Sequence, residues 1–246
     1  MPEVMLERRD AVALLTIENR EVRNGLTPEL CEQLVAVCDE IDADDAIGAA
    51  VIRGADGTFC SGADTRRWTP DVDWAGDGFE LISAIYGGFA RVGRLQVPTV
   101  AAVRGAAVGA GLNLLLACDV RVVAEDARLL AGFARVGLHP GGGFFTLLGR
   151  LAGRETTAAI GLFDESLDGA AAVTRGIAWE AVPDGEVESR ALELAAIAAR
   201  DPLLARRIVK SMRQELGPPA IGWDAAIELE RGMQMWSMRR RLGVRS

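Results

Sequence analysis

The chain has 246 residues, half of them apolar and a quarter charged, which is the balance of a soluble globular protein with a full core. Its formal net charge of −8 argues against nucleic-acid binding, because neutralising phosphates needs a basic face, but leaves room for a small anionic ligand. One histidine and no Cys-x-x-Cys pair argue against a dedicated transition-metal site.

The sequence predicts a protein without a secretion signal or a membrane helix. The N-terminal segment is charged, and the longest apolar stretch, 105–118, is shorter than the roughly 20 residues that span a bilayer. The four cysteines have no paired spacing, so we expect buried thiols in a reducing cytoplasm: Cys31, Cys38, Cys60 and Cys118.

The N-terminal half alternates strand-like and helix-like segments. Thr27 and Pro28 are typical of an N-cap and a first helical position, and apolar residues recur at helical spacing after them. The predicted strands are 12–17, 49–52 and 99–103, and the predicted helices are 28–41 and 80–92, with an acidic loop at 65–79.

The second half is predicted to be mainly helical. A helix at 112–118, a strand at 120–123 and a turn at 138–143 lead into a helix at 144–151. From about residue 150 the pattern is almost wholly helical, most clearly at 187–199 and 218–241. Strand–helix alternation followed by helices predicts an α/β core with a helical C-terminal subdomain.

Two glycine-rich turns, at 59–64 and 105–111, are the most informative motifs. Each follows a short apolar run, and the second leads into an apolar helix. Small residues at such turns let the backbone approach a ligand and direct free N–H groups at it. Two converging N–H groups would form an oxyanion hole, which stabilises an enolate or a tetrahedral oxyanion. No carboxylate lies in an obvious position to act as acid or base beside them.

A dinucleotide site is the competing interpretation of the second turn. Gly109 and Gly111 match the start of the Gly-x-Gly-x-x-Gly fingerprint, but Leu114 occupies its last glycine position. No acidic residue at the end of a second strand is placed to bind a ribose. The pattern therefore argues against this class.

Four motifs in a fixed order carry a resemblance to a known family. They are 23–26, 59–64, 97–119 and 136–142, and with them the chain resembles the crotonase, or enoyl-CoA hydratase/isomerase, superfamily over roughly residues 4–236. The resemblance implies an α/β fold, a spiral of repeated ββα units. It also implies a core at 1–195 that holds the acyl-CoA site and a C-terminal helical region at 196–246 that assembles trimers, usually paired into hexamers.

The resemblance assigns the two oxyanion donors. In that family the residue after the glycine of the first turn gives one N–H to the thioester carbonyl of an acyl-CoA, which maps onto Ala63. The second donor maps onto Ala110, where the family usually has glycine. The implied partner is an acyl-CoA thioester, and no cofactor is implied beyond coenzyme A as part of the substrate.

The chain departs from the family at both catalytic acids. Hydratases of the family use two glutamates, and their positions map onto Asn113 and Phe133. Neither side chain can exchange a proton near neutral pH, which argues against hydration by the two-glutamate route. Asn113 either binds the thioester oxygen, an acyl group or a water, or satisfies the backbone.

Replacement proton carriers come from two places. His139 lies two residues before Gly141, which aligns with a backbone N–H that faces the catalytic water of the family. His139 is either a base there or a structural histidine. The acidic side chains around the loop are solvated charges or reach into the site: Asp71, Asp73, Asp77 and Glu80.

The resemblance also implies a coenzyme A side of the site. Arginines that flank the binding segments suit phosphate geometry. Trp68 and Trp74 either line an acyl pocket or pack a lid. The predicted CoA-binding residues are Arg23, Asn24, Ser61, Ala63, Asp64, Thr65 and Arg66.

We therefore expect an acyl-CoA enzyme of the hydratase/isomerase group that uses oxyanion stabilisation, assembled as a homotrimer or a dimer of trimers. The alternative is a protein that binds acyl-CoA without chemistry, since both acids are replaced. A protein–protein module that keeps the fold without any ligand is a further alternative.

Overall fold

The computed structural model describes residues 2–69, 71–73 and 76–217. In these ranges nine strands form two sheets. The strands are β1 (Glu3–Arg9), β2 (Val12–Glu18), β3 (Ala49–Gly54), β4 (Thr99–Val103), β5 (Ala106–Val108), β6 (Val120–Ala124), β7 (Arg128–Leu130), β8 (Ser166–Leu167) and β9 (Glu180–Val182). The α-helices are α1 (Pro28–Ala43), α2 (Asp77–Val92), α3 (Ala110–Ala117), α4 (Phe144–Leu162), α5 (Gly169–Thr174), α6 (Val187–Ala199) and α7 (Pro202–Leu216).

The larger sheet has six strands in the order β1-β2-β3-β4-β6-β9. Only the first pair is antiparallel, and the others are parallel. The inner strands are continuous apolar runs, as expected for strands covered on both faces. Leu14 pairs with Val51, and Val51 with Val100, so one row of buried side chains crosses the sheet.

The smaller sheet takes part in a repeated strand–strand–helix unit. It contains β5, β7 and β8, and Cys60 extends it by a bridge to Ala107 of β5. The chain therefore passes three times from a large-sheet strand to the small-sheet side and then to a helix: β3, Cys60 and α2; β4, β5 and α3; β6, β7 and α4. The predicted α/β class with repeated ββα units is confirmed.

Helix α1 begins as its sequence predicts. The Thr27 hydroxyl accepts a hydrogen bond from the N–H of Leu30 (3.2 Å), and Pro28 occupies the first helical position. Leu34 and Ile41 lie on the buried face of the helix with Leu30. Local sequence thus determined this element almost completely.

The prediction of an almost wholly helical region after residue 150 is wrong in two places. Strands β8 and β9 lie there, and β9 completes the large sheet beside β6. Helix α4 also continues past Leu151 to Leu162, across a break at Gly153 whose φ is +73°. Strands of two or three residues carry too little periodicity to be recognised.

The predicted domain boundary at residue 195 falls inside α6. Ala191, Ala195 and Ala199 are buried, and α6 packs on β3, β4 and β6. This helix therefore belongs to the core, because its small apolar face is covered by the large sheet. The predicted helix at 218–241 lies outside the described residues, and the C-terminal trimerisation region stays a prediction. No helix among the residues described has the length and apolar character needed to cross a membrane.

Candidate functional site

A cavity of about 630 Å³ lies between the two glycine-rich turns, α2 and the third turn. All six predicted catalytic positions line it: Ala63, Ala110, Asn113, Phe133, His139 and Gly141. Of the predicted CoA-binding residues, Ser61 and Thr65 line it as well as Ala63, whereas Arg23, Asn24, Asp64 and Arg66 lie outside its wall. Residues far apart in the sequence therefore meet at one site.

The two glycine-rich turns pack against each other through positions without a side chain. Gly62 has a φ of +102°, and a Cβ there would lie 2.8 Å from the Val108 carbonyl oxygen. A Cβ on Gly111 would lie 2.3 Å from the Cys60 carbonyl oxygen. Because these are backbone atoms, no side-chain movement relieves the overlap, and both positions require glycine.

The backbone pairing of the first turn leaves the Ala63 N–H unpaired. Leu26 donates its N–H to the Gly62 carbonyl (2.7 Å), and its own carbonyl accepts from the Asp64 N–H (2.8 Å). Ala63 lies between these two bonded residues, and no residue in the described ranges accepts its N–H. Since Ala63 lines the cavity, it is a free donor at the wall.

The second turn leaves the N–H of Ala110 unpaired in the same way. The Val108 N–H donates to the Cys60 carbonyl, and the Gly109 N–H donates to the Leu130 carbonyl. Ala110 is the first residue of α3, and the first N–H groups of a helix have no acceptor within it. No described acceptor binds this N–H from elsewhere. A Cβ built on Gly62 would lie 3.7 Å from the Ala110 nitrogen, so the two turns meet here.

Asn113 lies one turn further along α3 and is 1% exposed. Its Nδ2 donates to the Gly141 carbonyl at 2.9 Å, so the backbone-satisfying interpretation is correct for this half of the amide. A carbonyl can only accept, which determines the orientation of the amide. The Oδ1 is buried and has no partner among the described residues. An unsatisfied buried acceptor costs about 1–3 kcal/mol unless a ligand or water fills it.

Phe133, onto which the resemblance maps the second family acid, forms an apolar part of the cavity wall. Its ring contacts the Phe144 ring edge to face, with centroids 5.5 Å apart. A ring atom of Phe133 also lies 3.9 Å from where a Gly109 Cβ would be. This side of the cavity therefore offers packing to a ligand and no proton.

His139 is exposed at the rim of the cavity. Its Nδ1 contacts the Pro140 carbonyl oxygen at 2.6 Å, and its ring lies edge to face with Phe145 at 6.2 Å. Because the carbonyl can only accept, Nδ1 carries the proton and Nε2 keeps a lone pair in the neutral ring.

No carboxylate within the described ranges lines the cavity. The four acidic residues around the loop are exposed, and none belongs to its wall: Asp71, Asp73, Asp77 and Glu80. Trp68 lines the cavity, whereas Trp74 lies outside the described residues. Among the described residues of the wall, His139 and Tyr86 have titratable side chains.

Tyr86 is a wall residue that the sequence analysis missed. It lies on α2 with Ile82 and Ile85, which also line the cavity, and with the buried Phe89. Their spacing of three, four and seven residues from Ile82 is that of one helix face, and this signal was present in the sequence. The missing information was which element that face would meet.

Two predicted CoA-binding residues are occupied in structural roles. Asn24 is 2% exposed, and its Nδ2 donates to the carbonyls of Ala55 (2.8 Å) and Thr58 (2.7 Å). The Ser61 hydroxyl donates to the Val22 carbonyl. Both side chains therefore hold the first turn in place. Contact between either residue and CoA stays a prediction.

The arginines near the first turn differ in their charge environment. Arg66 contacts Asp64 at 2.8 Å and Glu21 at 3.4 Å, and hydrogen bonding to Asp64 raises the pKa of the guanidinium. Its charge is therefore already compensated. Arg23 is exposed and has no ion-pair partner in the part of the chain described. Arg23 is the better placed of the two to meet a free phosphate.

Comparison with known proteins identifies the family. Residues 7–235 match the family described as enoyl-CoA hydratase/isomerase. The chain belongs to this family. The predicted resemblance to the crotonase superfamily and its fold is thereby confirmed.

Relatives from this family align along nearly the whole chain. A probable enoyl-CoA hydratase of Mycobacterium tuberculosis, EchA14, is 39% identical over 243 residues, covering 96% of this chain and 92% of the relative. The 1,2-epoxyphenylacetyl-CoA isomerase of Escherichia coli is 29% identical, with 91% and 85% covered. A probable enoyl-CoA hydratase/isomerase from Mycobacterium abscessus has a solved structure with a TM-score of 0.87 and 29% identity, covering 97% and 91%.

Proposed function

We propose that this protein binds an acyl-CoA thioester and stabilises the enolate of its acyl group between the N–H groups of Ala63 and Ala110. The main support for this proposal is that both residues line one cavity and that their N–H groups have no acceptor among the described residues. Family membership supports the ligand class, since relatives named as hydratase and isomerase act on CoA derivatives.

The chemistry follows from where negative charge develops. Loss of a proton from the carbon next to the thioester carbonyl moves an electron pair onto the carbonyl oxygen. Hydrogen bonds from Ala63 and Ala110 then strengthen as that oxygen becomes an anion, which lowers the barrier. Asn113 and Phe133 offer no carboxylate for the two-glutamate hydration route. The candidate proton acceptor in the cavity wall is the free Nε2 of His139.

A matched pair of variants at position 110 tests the donor. Proline is tolerated at the first helical position but lacks an N–H, so Ala110→Pro deletes the donor, while Ala110→Gly keeps it. We expect Ala110→Pro to slow exchange of the α-protons of butyryl-CoA with D₂O about 10²–10³-fold, as loss of one oxyanion donor does, and Ala110→Gly to retain it. Proton NMR follows the exchange, and calorimetry follows binding. Equal exchange in both folded variants would contradict the proposed donor.

Binding without chemistry is the second candidate. It is favoured by the replacement of both acids by Asn113 and Phe133 and by a cavity wall without a described carboxylate. Titration with acetyl-, crotonoyl- and long-chain acyl-CoA, followed by product analysis, separates the two candidates. Affinity with neither exchange nor product would establish the binding protein, and turnover would exclude it.

A further inference from the structure

Two aromatic residues of α2 fill the space beside the third turn. A Cβ on Gly141 would lie 1.8 Å from the Tyr86 hydroxyl oxygen, and a Cβ on Gly142 would lie 2.4 Å from Cζ of Phe89. Tyr86 and Phe89 are three residues apart, and their ring centroids are separated by 5.7 Å. Gly141 and Gly142 thus leave room for these rings because they lack a Cβ, and the Tyr86 hydroxyl packs against Gly141.

This hydroxyl has no hydrogen-bond partner among the residues described. Tyr86 is 37% exposed and lines the cavity, so its hydroxyl is reachable from the ligand space. A phenol both donates and accepts one hydrogen bond readily. The cavity wall also contains Ile82, Ile85 and Leu138, whose side chains carry no polar group.

The unpartnered Oδ1 of Asn113 belongs to the same end of the cavity. Nδ2 of that amide is bonded to the Gly141 carbonyl, and the Tyr86 hydroxyl contacts Gly141 from α2. Gly141 therefore lies beside both Tyr86 and Asn113, and neither the Tyr86 hydroxyl nor the Asn113 Oδ1 has a partner among the described residues. A ligand oxygen in the cavity can accept a hydrogen bond from the Tyr86 hydroxyl, whereas an alkyl chain offers that hydroxyl no partner.

We propose that Tyr86 binds an oxygen carried by the acyl chain and thereby makes the site prefer oxygen-bearing acyl-CoA thioesters to unsubstituted ones of equal length. In this proposal Tyr86 determines ligand specificity, and its hydroxyl does not transfer a proton to the substrate. The inference rests on the proposed acyl-CoA binding and adds a substrate class and a residue to it.

Calorimetry with a ligand pair tests this directly. β-Hydroxybutyryl-CoA and butyryl-CoA share the CoA portion and the chain length and differ only in one hydroxyl. We expect the wild-type protein to bind the hydroxylated ligand more tightly, and Tyr86→Phe to weaken it about tenfold with little change for butyryl-CoA, because one neutral hydrogen bond is lost. Thr174→Val is the control, since it deletes an exposed hydroxyl on α5 that bonds the Ala170 carbonyl.

Tyrosine NMR gives a second readout that folding defects do not mimic. The chain has one tyrosine, so ring-labelled protein gives a single tyrosine signal from Tyr86 without further assignment. We expect saturating β-hydroxybutyryl-CoA to shift the Cζ signal more than butyryl-CoA does. If the wild-type protein binds both ligands and Tyr86→Phe weakens neither or both equally, the inference is wrong and the proposed function stands. If the wild-type protein binds neither ligand, the proposed function itself is wrong.

Discussion

Two side chains of the cavity wall, Asn113 and Phe133, carry no group that exchanges a proton near neutral pH. Asn113 donates to the Gly141 carbonyl, so its role depends on carrying an N–H. Phe133 packs on Phe144 and supplies only surface. The two positions onto which the family resemblance maps the acids are therefore predicted to contribute orientation and packing in this chain.

The buried amide of Asn113 makes a specific prediction about charge. Asn113→Asp replaces the donor by an acceptor that faces the Gly141 carbonyl, in a place that is 1% exposed. We expect the free energy of unfolding near pH 7 to fall by about 1–3 kcal/mol or more. Burial should raise the pKa of the new carboxyl, so the loss should shrink as the pH approaches the ordinary value of about 4.

Urea unfolding at two pH values measures this effect. Gln214→Glu, which places a carboxylate at an exposed position of α7, is the matched control and should show little change. A variant at position 113 that is as stable as the wild type near pH 7 would contradict the described amide orientation.

At the scale of the elements, the two glycine-rich turns pack closely against each other. Helix α3 can begin beside the first turn only because Gly111 lets the Cys60 carbonyl approach. The same contact brings the Ala63 and Ala110 donors to one cavity. Packing of the turns and positioning of the site are thus one structural feature.

Two alanine substitutions in helices separate this packing from helix propensity. Gly111→Ala introduces a Cβ at 2.3 Å from a backbone oxygen, so we expect a loss of about 1–3 kcal/mol or more and weaker acyl-CoA binding. Gly87→Ala on α2 meets nothing within 4 Å, and we expect a gain of about 0.5–1 kcal/mol from helix propensity alone. Thermal and urea unfolding of both variants give the comparison, and a neutral Gly111→Ala would refute the close approach.

Much of this element level was predictable from local sequence. The start of α1, the strands β2, β3 and β4, and the glycine turns follow from capping residues, apolar runs and small-residue clusters. Strands β1, β5, β7, β8 and β9 were missed. All of them except β1 have two or three residues, which cannot display a period, and their pairing partners lie elsewhere in the chain. The predicted start of α2 at residue 80 was three residues late, because the helix begins at Asp77 within the acidic loop.

At the scale of the whole molecule, the four cysteines show the effect of burial in the core on ionisation. All four are free and buried, as predicted from their apolar surroundings. Burial raises the pKa of each thiol from about 9 to about 12. They are therefore held as neutral thiols and are poorly reactive in the folded protein.

This burial predicts loss of stability at alkaline pH. In the unfolded chain the thiols ionise near pH 9, while in the folded protein they keep their protons until about pH 12. The unfolded state therefore binds fewer protons between these values, and the free energy of unfolding falls as the pH rises through that window. Cys38→Ala should reduce the slope of this decline in urea unfolding, and a slope unchanged by the substitution would argue against the burial.

Assembly is also a property of this scale. The homotrimer or dimer of trimers implied by the family resemblance stays a prediction, because its proposed helices extend beyond the described residues. In the described part, α6 packs its buried face, with Ala191, Ala195 and Ala199, against the large sheet.

Sequence alone determined the family, the α/β class and the two glycine-rich turns, because these are properties of neighbouring residues and of motif order. The tertiary structure decided which backbone N–H groups stay unpaired and which side chains line the cavity. The free N–H of Ala63 depends on a pairing with Leu26, and the place of Tyr86 depends on Gly141, 55 positions later in the chain. Such contacts depend on how distant elements pack, and local periodicity carries no record of them.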